Sequence, residues 1–266
     1  MNILFPTWKS FGVEDIKETF EELGHKVSLY EREPKNYRID PRYKSEIKKY
    51  IKENKNRIII LIFSFLFQTS VYSITKLFQG TPMHLNNYFD NMIPFIPAFV
   101  TFYVLWYLLL FLIPLLILKY NKKVFDRYIV ACLIYALFEG IIFILLPTTM
   151  TREPLVVDSI STWIINIIYK VDTPVNLFPS AHCALAILFI ISTLDVKEIK
   201  KEYKILITIT SVLIMLSTVF IKQHVIVDVL GAFIIVPMYY IIRKKKINLE
   251  ESGIYAKIFR QKKRTK

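Results

Sequence analysis

Two short strings carry the side chains best suited to chemistry: Pro179-Ser180-Ala181-His182 and His224-Val225-Ile226-Val227-Asp228. A His and an Asp four residues apart share one face of a helix. The carboxylate then accepts a hydrogen bond from one ring nitrogen, fixes the tautomer and raises the basicity of the other. Such a pair suits a histidine nucleophile attacking phosphorus, with His224 the nucleophile and Asp228 its orienting group. A second group must protonate the leaving oxygen, and His182 is the other histidine at the matching end of an apolar run. Donors are also needed around the phosphate oxygens. Arg152 offers a fork, Ser180 a hydroxyl and Lys222 a point charge, and amides at helix starts add to them. Without that chemistry, His182 and His224 would be interfacial histidines at helix starts. A His-x3-Asp string alone is a weak signal; its order behind Pro-Ser-x-His and an Arg-containing loop is a much stronger one.

The elements that must hold these groups lie in a membrane. Apolar residues make up 54% of the 266-residue chain. They gather in runs near 58–77, 94–118, 128–146, 180–194, 205–221 and 225–242. A run of about 20 residues crosses roughly 30 Å of hydrocarbon at about 1.5 Å per residue. The pattern predicts an all-α, six-span transmembrane bundle over 58–242, with 180–194 the shortest span. The net charge of +13 is not spread evenly. Lys and Arg cluster in Lys44–Arg57, Lys119–Arg127, Lys197–Lys204 and the tail 243–266, and skip every second connection. That alternation is the positive-inside pattern. It places both termini in the cytoplasm and the loops 78–93, 147–178 and 222–224 outside. It argues against nucleic acid and for anionic lipid as the partner of the basic tail. Cys132 and Cys183 lie in separate apolar runs and read as buried hydrophobes, with no disulfide framework or cysteine metal site. No basic region followed by an apolar core marks a signal peptide in the first thirty residues, so insertion falls to the first span.

Residues 1–43 stand apart from this pattern. Asn2–Trp8 and Lys26–Tyr30 read as strands. Val13, Ile16, Phe20 and Leu23 mark one face of a helix between them. The segment resembles the first strand–helix–strand of a Rossmann-like domain but lacks a dinucleotide glycine signature, so no cofactor is assigned. Residues 44–57 form a basic helical lead-in. In the loop 147–178, Val157 to Ile168 has helical spacing over about twelve residues, too short to span. It reads as an amphipathic interfacial helix, a lid or an anchor, with Trp163 and Tyr169 at headgroup depth. Glu139 lies mid-span and is either a structural hydrogen-bonding group or a shaper of the site from below. Asp172 and Asn176 flank the Pro-Ser string as loop and helix-start residues, or as supports for the site.

From about 60 to 242, the chain resembles the type 2 phosphatidic acid phosphatase superfamily, whose motifs are Lys-x6-Arg-Pro, Pro-Ser-Gly-His and Ser-Arg-x5-His-x3-Asp. Pro179, Ser180 and His182 match the second motif, and Ser217, His224 and Asp228 the third. The phrases Phe89-Asp90-Asn91-Met92-Ile93-Pro94-Phe95, Asp172 to Ser180 and Lys222-Gln223-His224 look most like the inositol phosphorylceramide synthase branch. The resemblance implies a six-helix membrane core and a metal-independent phosphohistidine route. It implies that His224 is nucleophile, Asp228 orienter and His182 general acid, with Arg152 and Ser180 binding phosphate. It implies a lipid phosphate or diphosphate substrate, cleaved by water or transferred to an alcohol. Three positions depart from the motifs: Leu145 stands for the first Lys, Glu153 interrupts Arg-Pro, and Thr218 replaces the third motif's Arg. Lys222 is the candidate to compensate, with Lys170 a second. A non-catalytic lipid-binding or transport protein that kept the fold is the competing expectation.

Overall fold

The computed structural model describes residues 2–7, 21–22, 26–31, 41–78, 80–152 and 154–245. It divides into two compact units, Met1–Asn54 and Lys55–Lys266. In the first, β1 (Asn2–Thr7) pairs in parallel with β2 (Lys26–Glu31), Asn2 opposite Lys26. The helix expected between them lies outside the described residues except for 21–22, which are helical. The lead-in is α1 (Pro41–Glu53). It stops at Asn54, whose side-chain amide donates to the Tyr50 carbonyl at 3.0 Å, so Lys55 to Arg57 begin the next helix instead.

The second unit contains α2 (Lys55–Thr75), α3 (Tyr88–Met92), α4 (Val100–Tyr120), α5 (Lys122–Leu145) and α6 (Ile160–Val171). It continues with α7 (Ala181–Leu194), α8 (Lys201–Phe220), α9 (Ile226–Ala232) and α10 (Ile235–Lys244). Among the described residues, five segments are helical, long and apolar enough to cross a membrane: 55–78, 97–120, 122–145, 201–220 and 226–244. The chain is therefore an integral membrane protein. The expected sixth, α7, has 14 residues. That is about 21 Å of helix against roughly 30 Å of hydrocarbon. Its shortness has a local cause: Ser180 caps one end and Asp195 closes the other. Every residue from Cys183 to Phe189 is buried, and α7 packs against α4, α5, α8, α9 and α10. It is lined by protein rather than exposed along its length.

Two contacts fix the bundle where polar groups are costly. Arg57 at the start of α2 donates twice to Asp126 in α5, at 3.0 and 3.2 Å, with both residues buried. Removing one member of such a pair leaves the other's charge uncompensated. Higher up the same pair of helices, a Cβ on Gly140 would sit 2.5 Å from Val71 Cγ1. Valine has no flexible end to move away. Gly140→Ala should therefore destabilise the protein by about 1–3 kcal/mol. Val71→Ala in the same chain should restore most of the loss, and thermal unfolding in detergent reads both. Equal unfolding midpoints for Gly140→Ala and the parent would show that α2 and α5 are free to separate there.

At one end of the bundle three connections are stitched together. Met83–His84 (β3) pairs in parallel with Thr148–Thr149 (β4), and Thr149 bridges to Val175. Thr148 Oγ1 accepts from the Leu177 and Phe178 amides at 2.9 and 3.1 Å. The Asn86 side chain donates to and accepts from the Thr151 backbone. These bonds give the loop backbones the partners that buried peptide groups require.

Candidate active site

His224 is presented by the turn between α8 and α9. The amides of Gln223 and His224 both donate to the Thr218 carbonyl, at 2.8 and 3.0 Å, closing the end of α8. Lys222 has a φ of 54°, the left-handed conformation that usually falls to glycine after a helix. Its ammonium offsets that cost by donating to the carbonyls of Asp90 and Ile93 at 3.0 and 2.6 Å. Burial pulls the Lys222 ammonium below its ordinary value, and the nearby Asp90 charge opposes that. Asp90 also holds the far side of the turn. One of its oxygens accepts from the Ile226 amide at 2.8 Å, and the other accepts from Asn87 in a capping box that starts α3.

Within this frame the expected pair forms. His224 Nδ1 lies 3.1 Å from Asp228 Oδ2, and Asp228 is fully buried. The same oxygen accepts the Val225 amide at 3.1 Å, which aims the carboxylate. With Nδ1 donating to Asp228, the outer nitrogen Nε2 is left with a free lone pair.

Ser180 brings the second string to the third. Its amide donates to the Asp228 carbonyl at 3.1 Å, and its hydroxyl caps α7 by accepting from Cys183 N at 3.3 Å. Tyr135 donates to its carbonyl. A Cβ on Gly231 would lie 2.3 Å from the Phe178 ring, so only glycine lets α9 approach the loop that carries Ser180. Ser180 is fully buried, so its hydroxyl serves first as a helix cap.

His182, in the first turn of α7, stacks on Tyr103 with centroids 4.6 Å apart and packs on Trp106 at 4.1 Å. Its ring is 5.9 Å from that of His224. His182 Nε2 is buried without a hydrogen bond. The two rings are close enough to serve opposite sides of one tetrahedral group. A cavity of about 350 Å³ adjoins His224, lined among others by Asn86, Asp90, Asn91, Thr151 and Lys222.

The remaining expected residues divide into two groups. Arg152 reaches this region but is already bonded. It donates to the carbonyls of Lys222 and Asp172 at 3.2 and 3.0 Å and to Gln223 Oε1, and it lies over the Tyr169 ring. Burial pushes its guanidinium below the ordinary value, opposed by the fields of Tyr169, Asp172, Tyr103 and Tyr72. Tyr169 donates to the Ile221 carbonyl at 2.7 Å; burial pushes its phenol up to about 12, with Arg152 opposing. Its helix α6 packs Ile165 against Tyr103 and Ile221 and leaves Trp163 exposed.

Asp172 accepts from the Tyr72 hydroxyl and Asn176 donates to Thr75, so both brace the loop. Glu139 accepts from Gln68 at 3.4 Å, a hydrogen bond between α2 and α5. Lys170 is exposed. Thr218 is fully buried, its hydroxyl bonded to the Met215 carbonyl. Among the described residues, no three His, Cys, Asp or Glu side chains are grouped as metal ligands would be.

No protein-family model matches the chain, and neither does any curated protein or solved structure.

Asp90, Tyr103, Trp106 and Gln223 were not among the expected site residues. Asp90 was legible in part, since Asn87-x-x-Asp90 is a capping pattern. Tyr103 and Trp106 sit inside an apolar run where aromatic residues read as ordinary span positions, and no spacing rule links them to His182.

Proposed function

We propose that this protein is a lipid-phosphate phosphatase that hydrolyses phosphate or diphosphate esters of lipids through a phosphohistidine. The observation that carries the reading is the buried Asp228 carboxylate 3.1 Å from His224 Nδ1, with the His182 ring 5.9 Å from that of His224. In the first step His224 Nε2 attacks phosphorus, and the bond to the lipid oxygen breaks. His182 protonates the departing oxygen, and Asp228 stabilises the charge that develops on the His224 ring. In the second step His182 takes a proton from water, which attacks phosphorus, breaks the P–N bond and frees phosphate.

The same reading makes the short, protein-lined α7 the sixth helix of a type 2 phosphatidic acid phosphatase core. It places the site at the outer face of a bacterial plasma membrane, both termini being cytoplasmic, as the alternation of basic loops supports. Arg152, Ser180 and Lys222 complete the surroundings of the phosphate. The cavity beside His224, where Asn86, Asn91 and Thr151 stand among the apolar Ile93, Met150, Val219 and Val225, has room for an acceptor and favours a second reading, in which an alcohol takes the place of water and the enzyme is a phosphotransferase.

The test is phosphate release from a panel of lipid phosphates and diphosphates by detergent-purified protein. Release should persist in EDTA and stop with vanadate, which mimics pentacoordinate phosphorus. Release that stops in EDTA or ignores vanadate would remove the phosphohistidine route. If no lipid yields phosphate and no labelled phospholipid transfers its headgroup to supplied alcohols, a lipid-binding role replaces the enzyme.

A further inference from the structure

Beside the two histidines, two buried N–H donors face no acceptor. Trp106 Nε1 and Gln223 Nε2 make no hydrogen bond, though Trp106 is 6% and Gln223 2% exposed. A buried donor without an acceptor is costly, and native structures keep few of them unless water or a ligand completes the bond. Both belong to the site. The Trp106 ring packs 4.1 Å from His182, and Gln223 directly precedes His224. Gln223 is also oriented: Arg152 occupies its Oε1, leaving the NH2 end as the one with nothing to bind. Tyr103, which stacks on His182, packs in one cluster with Ile221 and Tyr169, and Arg152 lies over the Tyr169 ring, so the Gln223 side of the turn is near the α4 aromatic pair. Meanwhile the site's cations are already partly engaged. Arg152 serves two carbonyls and Gln223, and Lys222 serves two carbonyls.

We propose that Trp106 Nε1 and Gln223 Nε2 are direct ligands of the phosphate oxygens, so that neutral, buried donors carry part of the anion binding. Phosphoryl oxygens are acceptors only, which matches two donors that lack acceptors. Preorganised neutral donors in a water-poor site bind an anion without the desolvation that a free cation would need. This assignment rests on the phosphatase reading of the same site.

The test uses two near-isosteric changes in the full chain, with orthovanadate as the probe. Trp106→Phe keeps an aromatic ring on His182 and removes the N–H. Gln223→Glu keeps an oxygen for Arg152 and replaces the NH2 with a carboxylate oxygen. Vanadate affinity, measured by titration calorimetry in detergent, should weaken about tenfold in Trp106→Phe and about a hundredfold in Gln223→Glu. Thermal unfolding without vanadate verifies that each variant is folded, and if one is not, the other decides alone. Parent-like vanadate affinity in the folded variants, beside a parent that releases lipid phosphate, overturns this assignment and leaves the phosphatase reading standing. A parent that neither binds vanadate nor releases phosphate overturns both.

Discussion

His224→Ala should lower lipid-phosphate turnover by about 10⁴-fold or more, because removing the proposed covalent nucleophile abolishes the route rather than slowing one step of it. The side chain is about one-tenth exposed and its ring makes one polar contact, to Asp228. The fold should therefore survive, with an unfolding midpoint near that of the parent. The informative companion is a rapid acid- or base-quench with labelled substrate. The parent should retain label in a base-stable, acid-labile form, as expected of a phosphoramidate, and His224→Ala should retain none. Residual turnover within tenfold of the parent would exclude His224 as the nucleophile, whatever the substrate.

Asp228→Asn should reduce kcat by roughly 10² to 10⁴-fold with little change in KM. The amide fills the same space and its oxygen still accepts the Val225 N–H, now bonded at 3.1 Å. What it loses is the negative charge that fixes the His224 tautomer and stabilises the developing imidazolium. Asp228→Ala differs by also leaving the Val225 amide unpaired in the interior, and should cost a further 1–3 kcal/mol or so of stability. A binding-only role predicts the reverse, with both variants equally folded and ligand affinity changed in proportion to lost contacts. Steady-state kinetics beside thermal unfolding separates the two accounts.

The parts of this molecule visible in the sequence are those governed by local rules. Hydropathy locates the long membrane helices because a span needs a continuous apolar run. The His224–Asp228 pair is visible from its spacing, although the two do not share a helical face: His224 lies in the turn before α9, and Asp228 in that helix's first turn folds back to it. Ser180 is visible as a helix start for the same reason.

The misses are all non-local. The apolar run 180–194 matches the bounds of α7, but it does not reveal that so short a helix is enclosed by five others. Arg152 reads as a free fork, since nothing in the sequence shows the two carbonyls and the glutamine that share its donors. Lys222 reads as a point charge for phosphate, yet its first duty is to hold a left-handed turn. Trp106 and Gln223 are more than a hundred residues apart and meet the site only through folding.

The bonds from Asp90 and Lys222 make the position of His224, the proposed nucleophile, depend on a neighbouring segment. Asp90 grips the Ile226 amide, Lys222 grips the Asp90 and Ile93 carbonyls, and the Ile96 amide grips the Phe220 carbonyl. The stretch from Asn87 to Ile96 thus works as a splint across the turn that presents His224. Its surface includes Tyr88, Phe89 and Met92, all largely exposed. Under the proposed function, an inhibitor has two ways in: fill the phosphate site, where charge makes drug-like molecules poor competitors, or lift the splint from its uncharged side and disarm the histidine without touching it.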